Sequence, residues 1–214
     1  MSLAKQLAIT RNAYGKPDLQ WPPCSNDTNN IHNKRLRFNV AHTCGLIGIA
    51  ITSDRLIGLD IETAGRRTRH NPDTVARRRF STMEYGNLNA LLTDEEKAAY
   101  FIRLWTLKEA YVKAVGRGIS AAPGLKSFSF SVEEGEDGGG GGKIRFSSEY
   151  PERIQWEFAL LRPSDRHIAA LCVQKTRNGG MPVSIKSFSM GVEGEGEETV
   201  VMTTVPLLAR GHSD

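Results

Sequence analysis

Apolar and polar positions alternate most clearly in the middle of the chain. Leu46-Ile47-Gly48-Ile49-Ala50-Ile51-Thr52 and Leu56 to Glu62 are apolar runs separated by Ser53-Asp54-Arg55, and together they predict a β-hairpin. In the second run the period of two puts Gly58, Asp60 and Glu62 on one face and Ile57, Leu59 and Ile61 on the opposite, core-facing side. The pattern then turns helical. Asn71-Pro72-Asp73 opens one helix, and Ser81-Thr82-Met83-Glu84 has the form of a capping box for a second. Thr93-Asp94-Glu95-Glu96 opens the longest, Asp94 to Val115, which stops at Gly116-Arg117-Gly118. Strand-like runs return at 127–132, 143–147, 156–161 and 168–173, with two more near 183–188 and 199–205. Near the start, Ile9-Thr10-Arg11 reads as a short strand leading to a turn at Gly15-Lys16-Pro17, and Trp21-Pro22-Pro23 with residues 25–30 reads as loop.

Composition narrows the picture. At 214 residues, with 39% apolar and 24% charged positions, the chain is an ordinary globular protein able to bury a core. A net charge of +4 and a pI near 9.0 favour an anionic partner. No apolar run reaches the ~18 residues of a membrane span, and Met1-Ser2-Leu3-Ala4-Lys5 lacks the apolar centre of a signal peptide. Cys24, Cys44 and Cys172 are too widely spaced for a metal clip, so reduced thiols in a cytoplasmic protein are expected. Gly138 to Gly142 lack the G-K-[ST] ending of a phosphate loop and read as a flexible connection.

The candidate chemistry lies in two segments. Asp60 and Glu62 share a strand face, and two adjacent carboxylates repel unless a proton or cation sits between them. Alone, the pair is either a solvated strand end or a site for a hard metal ion. Glu109 and Lys113, one helical turn apart, are either an exposed ion pair or part of a site. Ile102 and Trp105 continue their stripe and mark it as partly buried, which favours a site neutralised by Mg²⁺. His42 is either a structural hydrogen-bonder or, with Lys16 and Lys113, a phosphate contact. Arg66, Arg67, Arg69, Arg77, Arg78 and Arg79 are either a solvated helix face or a dock for an acidic protein; no nucleic-acid module accompanies them.

Taken in order, Tyr14-Gly15-Lys16-Pro17, Phe38-Asn39-Val40-Ala41-His42-Thr43, Gly58-Leu59-Asp60-Ile61-Glu62 and Trp105-Thr106-Leu107-Lys108-Glu109-Ala110-Tyr111-Val112-Lys113 resemble the 4′-phosphopantetheinyl transferases over roughly residues 9–175. The likeness is to the longer type, an α+β pseudo-dimer of two similar halves. It implies a remnant of the first half at 1–52, incomplete because the chain begins almost at the G-K-P turn. It also implies a second half at 53–175 with the metal site, and a partly flexible extension at 176–214. The resemblance implies Mg²⁺-dependent transfer of the phosphopantetheine arm of coenzyme A to a serine of an apo acyl or peptidyl carrier protein, releasing adenosine 3′,5′-bisphosphate. Asp60, Glu62 and Glu109 would hold Mg²⁺, and Lys113 would steady the pyrophosphate and the leaving group. Glu109 would serve in removing the serine proton. Asn39 and His42 would line the nucleotide pocket, and Arg11, Gly15 and Lys16 would cradle the adenosine end. The position before the histidine is Ala41, where the family usually has serine. A monomer acting in the cytoplasm is expected, with no membrane or nucleic-acid partner, and an organelle address remains open if a longer N-terminus exists. The alternative is a truncated, non-catalytic isoform that still binds carrier protein. A Mg²⁺-dependent phosphohydrolase fits the acids but not the G-K-P and F-N-x-x-H segments.

Overall fold

The computed structural model describes residues 8–20, 36–64, 71–133, 143–149, 154–175, 183–188 and 200–205. The strands are β1 (Ala8–Arg11), β2 (Pro17–Gln20), β3 (Leu36–Thr43), β4 (Leu46–Ser53) and β5 (Ile57–Thr63). Helices α1 (Pro72–Arg79), α2 (Thr82–Ala90) and α3 (Asp94–Val115) follow. A 3₁₀ turn at Leu125–Ser127 leads into β6 (Phe128–Val132), β7 (Ile144–Ser148), β8 (Trp156–Ser164), β9 (His167–Gln174), β10 (Val183–Phe188) and β11 (Val200–Val205). The fold is α+β.

Local chemistry sets the helix boundaries. The Asn71 side chain caps α1, and Ser81 and Thr93 each form a full capping box, with Glu84 and Glu96 returning to the cap backbone. Helix α3 ends where Gly116 adopts the left-handed conformation at φ +76°. These elements fall where the sequence predicts them.

Strand pairing differs from expectation at one place. β4 pairs with β3 across the Cys44-Gly45 turn, and Gly45 has φ +74°. β5 leaves that sheet. Asp54, at φ +57°, lies in the connection, and β5 pairs with β9, more than a hundred residues away in sequence. The apolar runs at 46–52 and 56–62 therefore belong to two different sheets, ordered β11-β10-β4-β3 and β5-β9-β8, and not to one hairpin. β10 and β11 extend the first sheet beyond β4.

Strands β3 and β5 lie side by side, bridged by side chains. The Leu59 amide donates to Asn39 Oδ1 at 2.7 Å, and Thr43 Oγ1 meets Thr63 Oγ1 at 3.0 Å. Both bridges span 20 residues in sequence, so the strands run in the same direction.

The period of two in β5 then works on both faces. Ile57, Leu59 and Ile61 join Ala41, Leu46, Ala50, Ala169, Leu171 and Val173 in a core between the sheets. On the other face α3 lies against β5 and β9. Its buried Leu104, Leu107, Ala110, Tyr111 and Ala114 share a second core with Ala170, Cys172 and the aromatic rings of Phe128 and Phe130. Cys44 and Cys172 are free thiols, one exposed and one buried. Among the described residues, no helix is long and apolar enough to cross a membrane. The glycine run, Cys24, the proline loop, Arg66, Arg67 and Arg69 lie outside the described residues.

Candidate active site

Gly58 brings the two candidate segments together. A Cβ there would fall on the Ala110 carbonyl oxygen and the Ala114 nitrogen, so only glycine lets α3 lie this close to β5. Two residues further on, Asp60 points toward the same helix. One of its carboxylate oxygens accepts a hydrogen bond from Lys113 Nζ at 2.7 Å, with Asp60 buried and Lys113 partly exposed. Glu62 is also buried on this face. Glu109, one turn before Lys113, is half-buried.

The three carboxylates feel one another. Desolvation pushes the Glu109 carboxyl up to about 7, and the charges of Asp60 and Glu62 push in the same direction. Lys113 and Arg79 pull it back down. Clustered carboxylates shielded from water on one side draw cations, and their oxygen donors suit Mg²⁺. Among the described residues no three acidic, histidine or cysteine side chains stand in ready metal-ligating geometry. The Asp60, Glu62 and Glu109 carboxylates would hold such an ion only after turning toward it.

The remaining expected site residues occupy distinct places. Asn39 is buried, with its side-chain oxygen engaged by β5, whereas His42 is exposed on the other face of β3. Gly15 sits at φ +84° in the turn between β1 and β2, and the Arg11 guanidinium donates to its carbonyl at 3.0 Å. Lys16 reaches inward. Its Nζ donates to the carbonyls of Ile57 at 3.0 Å and Ala114 at 2.9 Å, and desolvation, with Arg37 adding, lowers its pKa to about 8. The turn thus abuts both segments that carry the acids.

Sequence reasoning named the arginines of α1 but missed what Arg79, Lys108 and Asn12 do. The arginines at the end of α1 separate: Arg77 and Arg78 line a cleft of about 570 Å³ with Asp73, Thr74 and Lys126, while Arg79 donates to the Ile119 carbonyl at 3.3 Å and acts on Glu109. Lys108 is fully buried against Glu84 at 2.8 Å, and it sits in the apolar stripe Leu104, Leu107, Lys108, Tyr111, a spacing that marks it as inward-facing. Asn12 joins the turn to α3. An apolar cavity of about 450 Å³ lies beside the end of α3 between Tyr111, Val115, Ile119, Pro123 and Phe128, and contains none of the acids.

A strand carrying G-x-D-x-E set against a helix carrying W-x-x-K-E-x-x-x-K defines a class, and the 4′-phosphopantetheinyl transferase superfamily model matches residues 56–172. The chain belongs to this superfamily. Among its relatives is the 4′-phosphopantetheinyl transferase HetI of Nostoc sp., 34% identical over 142 residues, covering 64% of this chain and 52% of the relative. The 4′-phosphopantetheinyl transferase ffp of Bacillus subtilis is 37% identical over 146 residues, covering 68% and 53%. The human L-aminoadipate-semialdehyde dehydrogenase-phosphopantetheinyl transferase is 23% identical over 172 residues, covering 79% and 54%. The chain spans about half the length of these curated relatives.

Proposed function

We propose that this chain transfers the 4′-phosphopantetheine arm of coenzyme A to a serine hydroxyl of an apo acyl or peptidyl carrier protein, releasing adenosine 3′,5′-bisphosphate: a holo-[acyl-carrier-protein] synthase activity. The observation that carries the reading is the electrostatic union of Asp60, Glu62, Glu109 and Lys113 across β5 and α3, inside the segment that matches the family.

Asp60, Glu62 and Glu109 are the residues that would hold Mg²⁺, which would supply charge neutralisation for the pyrophosphate. Glu109, with a pKa near neutrality, is matched to taking the serine proton. The serine oxygen then bonds to the phosphorus that carries the pantetheine arm, and the bond from that phosphorus to the bridging oxygen breaks. The leaving phosphate departs with that bridging oxygen, and Lys113 offers it a positive charge. Such a reaction depends mainly on positioning and charge compensation. On this reading residues 1–52 are a remnant of the family's first half, residues 53–175, which carry all three helices, are the second half, residues 176–214 are an extension, and the enzyme acts as a cytoplasmic monomer.

The test is incubation with coenzyme A, Mg²⁺ and a panel of apo carrier proteins, followed by intact-mass measurement. A mass gain equal to the phosphopantetheine arm on at least one carrier, abolished by chelation, is expected. A panel left unmodified under conditions where a full-length family member modifies it would refute the reading.

A further inference from the structure

The turn between β1 and β2 owes its shape to one side chain. Asn12 Oδ1 accepts from the Tyr14 and Lys16 amides, each at 2.9 Å. Its own backbone closes the same turn, donating to the Lys16 carbonyl at 3.0 Å and accepting from the Gly15 amide at 2.9 Å. The remaining group, Nδ2, leaves the turn altogether. It donates to the Gly116 carbonyl at 2.7 Å, 104 residues away in sequence.

Gly116 is the left-handed cap of α3, and the last carbonyls of a helix have no partner within it. Two of the carbonyls at this end are served by the turn: Ala114 by Lys16 Nζ and Gly116 by Asn12 Nδ2. The fit is close, since a Cβ on Gly116 would stand 3.0 Å from Asn12 Nδ2 and 3.2 Å from the Lys16 side chain. The helix turn so fastened is the one that bears Lys113.

We propose that Asn12 is a positioning residue. One side chain both shapes the Tyr14–Lys16 turn and fixes it to the C-terminal end of α3, so that a nucleotide held by the turn is set in register with Glu109 and Lys113. The functional half of this inference rests on the proposed coenzyme A site; the mechanical half does not.

Two variants separate the two duties. Asn12→Asp keeps the acceptor that shapes the turn and replaces the donor that reaches Gly116 with an acceptor. Asn12→Ala removes both. Hydrogen exchange on the ligand-free protein should show faster exchange at the Gly116 and Arg117 amides in both variants, and at the Tyr14 and Lys16 amides only in Asn12→Ala. With coenzyme A saturating, Asn12→Asp should lower turnover about ten-fold, the scale of one hydrogen bond lost with a carbonyl left unpaired, while its coenzyme A dissociation constant stays within about three-fold of wild type. Unchanged exchange at Gly116 and Arg117 in both variants would overturn the proposal. So would weakened coenzyme A binding with turnover intact, because Asn12 would then serve the turn alone. Wild-type protein that binds no coenzyme A would refute the reading of the site and with it the functional half, and the exchange data would still decide the mechanical one.

Discussion

Replacing Lys108 with methionine should destabilise this fold more than any change at its surface. The ammonium has three N–H groups, and all three are used: Glu84 Oε2 at 2.8 Å, the Leu125 carbonyl at 2.8 Å and the Phe128 carbonyl at 2.7 Å. It also lies 4.4 Å from the centroid of the Phe128 ring. Burial pushes the lysine pKa down while Glu84 pulls it up. Glu84 is equally committed, accepting from the Ser81 amide and from the Phe130 amide, each at 2.8 Å. Methionine fills much of the volume but leaves a carboxylate buried without its cation. Breaking such a pair costs about 3–5 kcal/mol. At about 2–4 °C per kcal/mol for a chain of this size, the midpoint of thermal unfolding should fall by roughly 6–20 °C. Urea unfolding followed by tryptophan fluorescence should show a lower midpoint with an unchanged slope. In Glu84→Gln/Lys108→Met the unpaired charge is gone, so the double variant should regain about 1 kcal/mol or more over Lys108→Met. A loss below about 1 kcal/mol in the single variant, or strict additivity in the pair, would refute the reasoning.

The Glu109 carboxyl, raised from an ordinary 4.5 to about 7, binds its proton more tightly in the folded state, so stability should fall as pH rises between those values and level off above. The full span is about 3 kcal/mol, and denaturant titrations at pH 5 and pH 8 should show most of it in wild type and none of it in Glu109→Gln. Lys113→Ala should lower turnover by roughly 10²-fold with a smaller effect on coenzyme A binding; a change in affinity alone would confine Lys113 to holding substrate. Arg77→Glu/Arg78→Glu should raise the apparent KM for an acidic carrier protein in a salt-dependent way and leave that for coenzyme A unchanged. An unmoved carrier KM would show that the cleft with Lys126 is not the dock.

What was legible in the sequence was what neighbours in the chain decide. Asn71, Ser81, Thr93 and Gly116 announce helix ends because caps act over three or four residues. The alternation in β5 sorts its side chains correctly because a strand has only two faces. Pairing is another matter. β4 and β5 follow one another like a hairpin, yet Ile57 stands opposite Val173, and nothing within a short window reveals that partner. The arginine run illustrates the same limit, since consecutive residues on α1 look equivalent until α3 and the loop after it arrive to engage Arg79 alone. Lys108 could have been suspected from its place in an apolar stripe, but Glu84 lies on another helix.

These distant contacts explain why the acids stay together despite their repulsion. Carboxylates on a strand and a helix could ordinarily relax by letting the helix tilt or roll away. Here α3 is held against β5 at Gly58, which has no side chain to keep them apart. Its roll is held by Lys108, anchored to Glu84 and to the carbonyls of Leu125 and Phe128. Its C-terminal end is fastened by Lys16 and Asn12. With the backbone so constrained, the strain among Asp60, Glu62 and Glu109 is relieved by charge, through the Lys113 ammonium, a proton on Glu109 or a bound cation. The raised proton affinity of Glu109 comes first from its burial and then from the charges of Asp60 and Glu62, with Lys113 and Arg79 offsetting part of it. A rigid frame that holds these carboxylates in place beside a partly open site is what the proposed phosphate-rich substrate, arriving with its own cation, would require.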